Sequence, residues 1–479
     1  MQAEGARFEG VSGFIRSFLV EHGVPSLAVA VSGGGRILWE EGFGWADREA
    51  RVPATAHTAY SIASVSKPLT AAAVLVLAAR GLLDVDGPVN AYLGPTPLRA
   101  RVGGAQAEAA ATVRRVANHT AGLPLHSHLF PEDEPARRPP MEETLRRYGN
   151  LITLPGERHR YSNLGYGVLD HVIARLSGRS YADFMRAEVF LPLGMLRSSI
   201  GRAPGLEPFQ AARYTAGVRL PFYDFDHPGG SAAFASAHDL ARFGAFQVGT
   251  PFPDQRAILT PAALSDGQRG TVELRPGLSY GLGWTTRLDA AGRRRVSHGG
   301  GMPGVSTILE LLPEEGLAVA ALANGGSNLP ELVVERLLEV LLPGYAEQRD
   351  RARAAEAAPA AAAEAPFEPG ELGGTWRGMV ATERGDVPLE LEFRADGGVH
   401  ARLGAQLPTL LSDPQWREGW LTGRMAGDLG ADDVRRRPYL LHTDLRLRGE
   451  ALTGALVAVA LPEVVLGYAL AFPAELHRA

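Results

Sequence analysis

Phe8, Val11, Phe14, Ile15, Phe18 and Leu19 recur at helical spacing and are followed by Gly23. This predicts an amphipathic opening helix that stops at the glycine. Leu27, Val29 and Val31 then alternate with small residues, and Ser32-Gly33-Gly34-Gly35-Arg36 leads into Ile37-Leu38-Trp39, the pattern of a hairpin. Comparable strand patterns return only at Val305 to Leu312 and Leu317 to Leu322. Helical patterns dominate between them: Leu69 to Arg80 before Gly81, Leu164 to Leu176 before Gly178, and Tyr181 to Phe190. Strands from both ends enclosing a helical middle predict an α+β fold, an antiparallel sheet flanked by helices with a helical subdomain and a cleft between the two.

A last helix is predicted from about Leu329 to Leu342, with Asn328 and Glu331 spaced as a capping box and Pro330 in the first turn. From Ala346 to Pro369 the chain turns to Ala, Glu, Arg and Pro with almost nothing large and apolar, a linker that is partly helical at best. Beyond it the period becomes two. Val387, Leu389, Leu391 and Phe393 alternate with Pro388, Glu390 and Glu392, and Asp396-Gly397-Gly398 turns the chain into Val399 to Leu403. Leu445 and Leu447 alternate with Arg446 and Arg448 before the turn at Arg448-Gly449-Glu450. The expected organisation is a large α+β domain over 1–345, a linker over 346–369 and an antiparallel β-barrel over 370–479.

The 479 residues carry 48 Lys and Arg against 53 Asp and Glu, a net charge of −5, so no field invites nucleic acid. No stretch approaches 18 uninterrupted apolar residues, so no membrane span is expected. The opening Met1-Gln2-Ala3-Glu4-Gly5 lacks the basic run and apolar stretch of a secretory signal, and the default expectation is a cytoplasmic protein. There is no cysteine, which removes thiol nucleophiles, disulfides and thiolate metal sites together.

One count changes the picture. Of the 48 basic residues, 47 are arginine and one, Lys67, is lysine. A guanidinium serves wherever a fixed charge suffices, whereas an amine can give up its proton when desolvated. Lys67 lies in Ser64-Val65-Ser66-Lys67-Pro68, followed by an apolar helical run. Proline is tolerated only near the first turn of a helix, so the helix begins around Ser64 to Ser66. Residues i and i+3 share a face, which brings the Lys67 amine within reach of the Ser64 hydroxyl. A serine hydroxyl is a poor nucleophile without a base beside it. The pair therefore points to proton transfer or covalent chemistry at the serine.

Other motifs carry less. The single lysine has no glycine-rich phosphate loop before it. His126-Ser127-His128 near Glu132, Asp133 and Glu134 is the kind of cluster a polar loop yields by accident, and no metal or cofactor is expected. Gly277-Leu278-Ser279-Tyr280-Gly281 matches a nucleophile elbow, but that motif needs a strand before and a helix after the serine. Glycines and strand formers follow here, so it reads as a strand start.

Tyr60 to Lys67 resembles the nucleophile segment of the serine β-lactamase and penicillin-recognising family. The branch is that of class C β-lactamases, D-alanyl-D-alanine carboxypeptidases, D-aminopeptidases and related esterases. Tyr161-Ser162-Asn163 is similar to its second motif and leads into a helix; His298-Gly299-Gly300 is similar to its third, in a histidine form. Asn118 to Leu123, Gly229-Gly230-Ser231 and Tyr280 to Trp284 extend the resemblance over about residues 8–345. It implies that Ser64 forms an acyl-enzyme and that Lys67 and Tyr161 exchange the proton, either serving as base. It further implies that Asn163 orients the lysine or the substrate amide, that His298, Gly299 and Gly300 line the substrate strand, and that Ser64 and Gly301 N–H groups hold the oxyanion. A capped helix start is the structural alternative for Tyr161 and Asn163, and a satisfied core histidine for His298. Lysine often stands at the His298 position in relatives that bind a substrate carboxylate strongly. Histidine there shifts the expectation from β-lactam destruction to a D-amino-acid peptidase or small-acyl esterase. A slow β-lactamase or a non-turnover penicillin-binding sensor are the rival readings. Gly373-Gly374-Thr375-Trp376 resembles the start of lipocalin-like barrels; Trp376, Trp416 and Trp420 are expected to pack in the barrel. The substrate is expected to be a small molecule or peptide; the oligomeric state is not legible.

Overall fold

The computed structural model describes residues 6–356, 367 and 369–479. Contacts group the chain into two units. The first takes the described residues of Met1–Gly87, Pro131–Ala136 and Leu169–Pro359; the second takes those of Pro88–Phe130, Arg137–Val168 and Ala360–Ala479.

In the first unit a nine-stranded antiparallel sheet runs, in spatial order, 272–275, 278–280, 285–288, 294–302, 305–312, 317–323, 26–33, 36–47 and 52–53. The strand Ser26–Gly33 sits between Arg36–Asp47 and Leu317–Ala323, with Leu27 opposite Ala323 and Val31 opposite Val319. Every residue of Ser26–Gly33 and of Val305–Leu312 is buried. The alternation of large and small residues explains how both faces are covered. Leu27, Val29 and Val31 join a core with Val11, Ile15 and Leu19 of the helix Glu9–His22 and with Val333, Leu337 and Leu341 of the helix Leu329–Leu341. On the opposite face, small residues let the helix Ala237–Gln247 approach closely. Ser32 Oγ donates to Ala241 O at 2.8 Å, and a Cβ on Gly244 would lie 2.4 Å from Ala318 Cβ.

The opening helix ends at Gly23 in the left-handed region, φ 64°. The capping box expected at Asn328 and Glu331 is not formed: Asn328 makes no side-chain cap bond. Its φ of −92° and ψ of 12° depart from the extended conformation that aims a cap at the third residue. Ser327 Oγ instead accepts from Leu329 N at 3.4 Å. Within the expected linker, Tyr345–Glu356 is helical, and 357–366 and 368 lie outside the described residues.

In the second unit, strands between Gly374 and Arg478 form a nearly closed antiparallel barrel. Period-two alternation is visible in Gly385–Phe393, where Leu389, Leu391 and Phe393 are buried and Glu390 and Glu392 are less so. Trp376 is a core residue whose Nε1 donates to Leu372 O at 2.8 Å, and Trp420 is buried beneath the Arg158 guanidinium, 3.4 Å from the ring centroid. The same unit holds the segment before Tyr161 against the barrel: Arg158 reaches Asp444 at 2.8 Å, Arg160 pairs with Asp444, and Glu157 accepts from Arg446 at 2.7 Å and from Arg448 at 2.6 Å.

Candidate active site

The short strand Tyr60–Ser61 pairs with Ala233–Ala235, and Ile62 N continues the ladder to Ala233 O at 3.0 Å. Ala63 then takes φ 46°, a left-handed conformation costly for a residue with a Cβ. Ser66 holds this turn, donating to Ala63 O at 2.6 Å and accepting from Ala233 N at 3.1 Å. A 3₁₀ turn over Ala63–Val65 leads into the helix Ser66–Ala79, with Pro68 in its first turn where the missing N–H does no harm. Ala63 and Val65 are buried, while Ser64 between them is half-buried.

Lys67 lies one turn beyond Ser64 and is 0% exposed. Its Nζ donates to Ser64 Oγ at 3.1 Å and to Gly230 O at 2.9 Å. Burial pushes the amine well below the ordinary lysine pKa, because the ammonium loses its hydration. The Gly230 carbonyl is fixed in turn: Thr70 Oγ1 donates to Gly229 O at 2.6 Å, and Gly229 N donates to Asp170 at 2.7 Å.

His298, Gly299, Gly300 and Gly301 lie on the strand Arg294–Met302, which passes beside the nucleophile turn. A Cβ on Gly300 would stand 2.3 Å from both Ile62 O and Thr307 Oγ1, so only glycine permits this approach. A Cβ on Gly301 would meet nothing within 4 Å. Gly283, at φ 76°, packs in the same manner on the Lys67 carbonyl, 2.9 Å from a built Cβ.

His298 is 6% exposed. Its Nδ1 lies 2.6 Å from Gly299 O, which can only accept, so Nδ1 carries the proton. Nε2, 2.9 Å from the Tyr280 hydroxyl, is then the acceptor. Burial chiefly, and the neighbouring Lys67 charge, bring its pKa down to about 3. The ring is a neutral fixture at physiological pH.

Tyr161 and Asn163 belong to the second unit. Asn163 opens the helix Asn163–Ser177; its N donates to Leu125 O at 2.8 Å and its Nδ2 to His126 O at 3.1 Å. The Tyr161 ring lies 4.4 Å from that of His119, whose Nδ1 accepts from Ser162 N at 3.1 Å. His119 itself takes φ 64°. These residues hold the Tyr-x-Asn turn, a support with no local sequence signal.

The elbow-like Leu278–Tyr280 is a short strand, with Ser279 paired between Glu273 and Thr286. His126 and His128 have ring centroids 6.4 Å apart, and His128 Nε2 faces an Arg436 donor at 3.0 Å. Glu40, His57 and His238, distant in sequence, bring possible ligand atoms within 4.8 Å of one another and could hold a metal. Hydrogen bonding alone also accounts for the contact of His238 Nδ1 with Glu40 at 2.7 Å.

Residues 11–342 match the family model described as Beta-lactamase. Penicillin-binding protein 4* of Bacillus subtilis (strain 168) is 27% identical over 311 residues, covering 59% of this chain and 64% of that protein's length. The structure of SurE with D-Leu is similar over 97% of this chain and 100% of its own, with a TM-score of 0.65 at 22% identity. That of EstCE1, a hydrolase with promiscuous acyltransferase activity, covers 73% of this chain and 99% of its own, with a TM-score of 0.58 at 21% identity. At such identities these two likenesses speak for the fold.

Proposed function

The chain belongs to the Beta-lactamase family, and from that premise we propose that it is a serine hydrolase acting on small esters or D-amino-acid peptides through an acyl-enzyme on Ser64. The observation that carries this is the 3.1 Å contact between the Ser64 hydroxyl and a lysine amine that burial inclines to neutrality. A neutral amine has a lone pair; an ammonium has none. Lys67 accepts the Ser64 proton as Oγ bonds to the substrate carbonyl carbon, and the carbonyl oxygen takes the negative charge. The N–H groups of Ser64 and Gly301 stabilise that oxyanion. As the tetrahedral intermediate collapses, the proton passes by way of Lys67 and Tyr161 to the departing alcohol or amine. Water then repeats the sequence on the ester carbonyl and frees Ser64. Asn163 orients the substrate amide.

His298 supports this choice of substrate class. A neutral imidazole buried against Tyr280 supplies no fixed cation for the carboxylate of a β-lactam. A p-nitrophenyl ester, a D-alanyl anilide and a chromogenic cephalosporin assayed side by side test it. Turnover of the ester or the anilide above that of the cephalosporin is expected. Preferred turnover of the cephalosporin would make the protein a β-lactamase, and a burst without steady turnover would make it a sensor.

A further inference from the structure

Arg213 is a guanidinium buried in the first unit and 5% exposed. It offers five N–H donors. Nη1 donates to Tyr223 O at 2.9 Å and Nη2 to Ser61 Oγ at 3.1 Å. Its other neighbours are aromatic faces: the guanidinium carbon lies 4.0 Å from the Tyr223 ring centroid, 5.2 Å from that of Phe222 and 5.3 Å from that of Phe234. Among the described residues no carboxylate forms an ion pair with it; Asp224 acts only through its field.

Arg213 lines a cavity of about 810 Å³, a size suited to a small organic ligand. Two further arginines on the wall are already paired, Arg202 with Glu132 at 2.6 Å and Arg219 with Asp47 at 2.9 Å. Phe222 and Phe234 stack at 6.4 Å and line the cavity, with the Arg202 guanidinium carbon 4.0 Å from the Phe222 centroid. Glu207, also on the wall, is exposed and keeps its hydration. What remains is one buried cation with no ion-pair partner among the described residues and only the field of Asp224 to offset it, an arrangement that costs stability unless an anion completes it.

We propose that this cavity binds a small monocarboxylate with an apolar body, its carboxylate bridging the free Arg213 donors and its hydrocarbon resting on Phe222 and Phe234. Arginine suits this ligand because its planar fork matches the two oxygens of a carboxylate. The pairing does not require Ser64 to react.

Isothermal titration of the full chain with 4-phenylbutyrate and with its neutral amide tests the site. The carboxylate is expected to bind saturably and at least about tenfold more tightly than the amide, equally in Ser64→Ala. Arg213→Gln removes the preference. If that variant does not fold, Ala212→Leu, which narrows the cavity and keeps Arg213, is expected to weaken the carboxylate by about tenfold or more. Equal affinity for acid and amide, no saturation by the acid, unchanged binding in Arg213→Gln or in a folded Ala212→Leu, or loss of binding in Ser64→Ala would each overturn the assignment.

Discussion

The Lys67 amine donates to the Ser64 hydroxyl across 3.1 Å and also to the carbonyl of Gly230, 163 residues away in sequence. These two bonds aim the fully buried amine at the hydroxyl. Lys67→Arg keeps a cation but cannot accept a proton, and turnover on a p-nitrophenyl ester is expected to fall at least about a hundredfold. Activity within a few fold of the parent would refute proton transfer by Lys67.

The approach of the substrate strand to the nucleophile turn gives a second prediction. Gly300→Ala places a methyl 2.3 Å from Ile62 O and Thr307 Oγ1, whereas Gly301→Ala places one in open space. The first is expected to cost about 1–3 kcal/mol, as overpacking does, and to lower the melting midpoint by several degrees; the second leaves the midpoint unchanged. Equal midpoints would contradict the close approach.

His298 predicts a pH dependence of stability. Its folded pKa is about 3, against about 6.5 in an unfolded chain. The unfolded state takes up the proton first, so the contribution of the neutral ring is complete above about pH 6.5 and is lost as pH falls toward 3. Within that window the loss approaches about 1.4 kcal/mol per pH unit. Denaturant titrations between pH 7 and 4 should therefore show a shallower decline for His298→Gln. Parallel curves would mean the ring is not held neutral.

Much of the fold was legible where burial imposes a period. The opening helix shows its apolar stripe from Phe8 to Leu19 because one face meets the sheet. Leu27, Val29 and Val31 alternate with smaller residues because one face packs into the core of the helices Glu9–His22 and Leu329–Leu341 while the other meets Ala237–Gln247, where Ser32 bonds Ala241 and Gly244 approaches Ala318. The nearness of Ser64 and Lys67 was legible because i and i+3 share a helical face. The Gly230 acceptor, the His119 support beneath Tyr161 and the Glu157 pairs with Arg446 and Arg448 were not. Each joins distant stretches of chain, and a charged residue in a loop looks the same whether its partner is water or a strand 291 residues away. The capping box at Asn328 failed because spacing alone does not set the backbone angles a cap requires.

The ion pairs before Tyr161 yield a fourth prediction. Asp444 receives both Arg158 and Arg160, with Trp420 beneath Arg158. Asp444→Asn weakens charge-assisted bonds that are largely shielded from water, and a loss of about 1.5–3 kcal/mol is expected in chemical denaturation. An unchanged transition would show that these pairs are solvated and contribute little.

The most direct measurement is intact-protein mass spectrometry after rapid acid quench of the full chain with p-nitrophenyl acetate. The account predicts one added acetyl group, mapped by proteolysis to the peptide containing Ser64 and absent from Ser64→Ala. An acetyl group that persists in Ser64→Ala, or turnover that Ser64→Ala leaves intact, would contradict it.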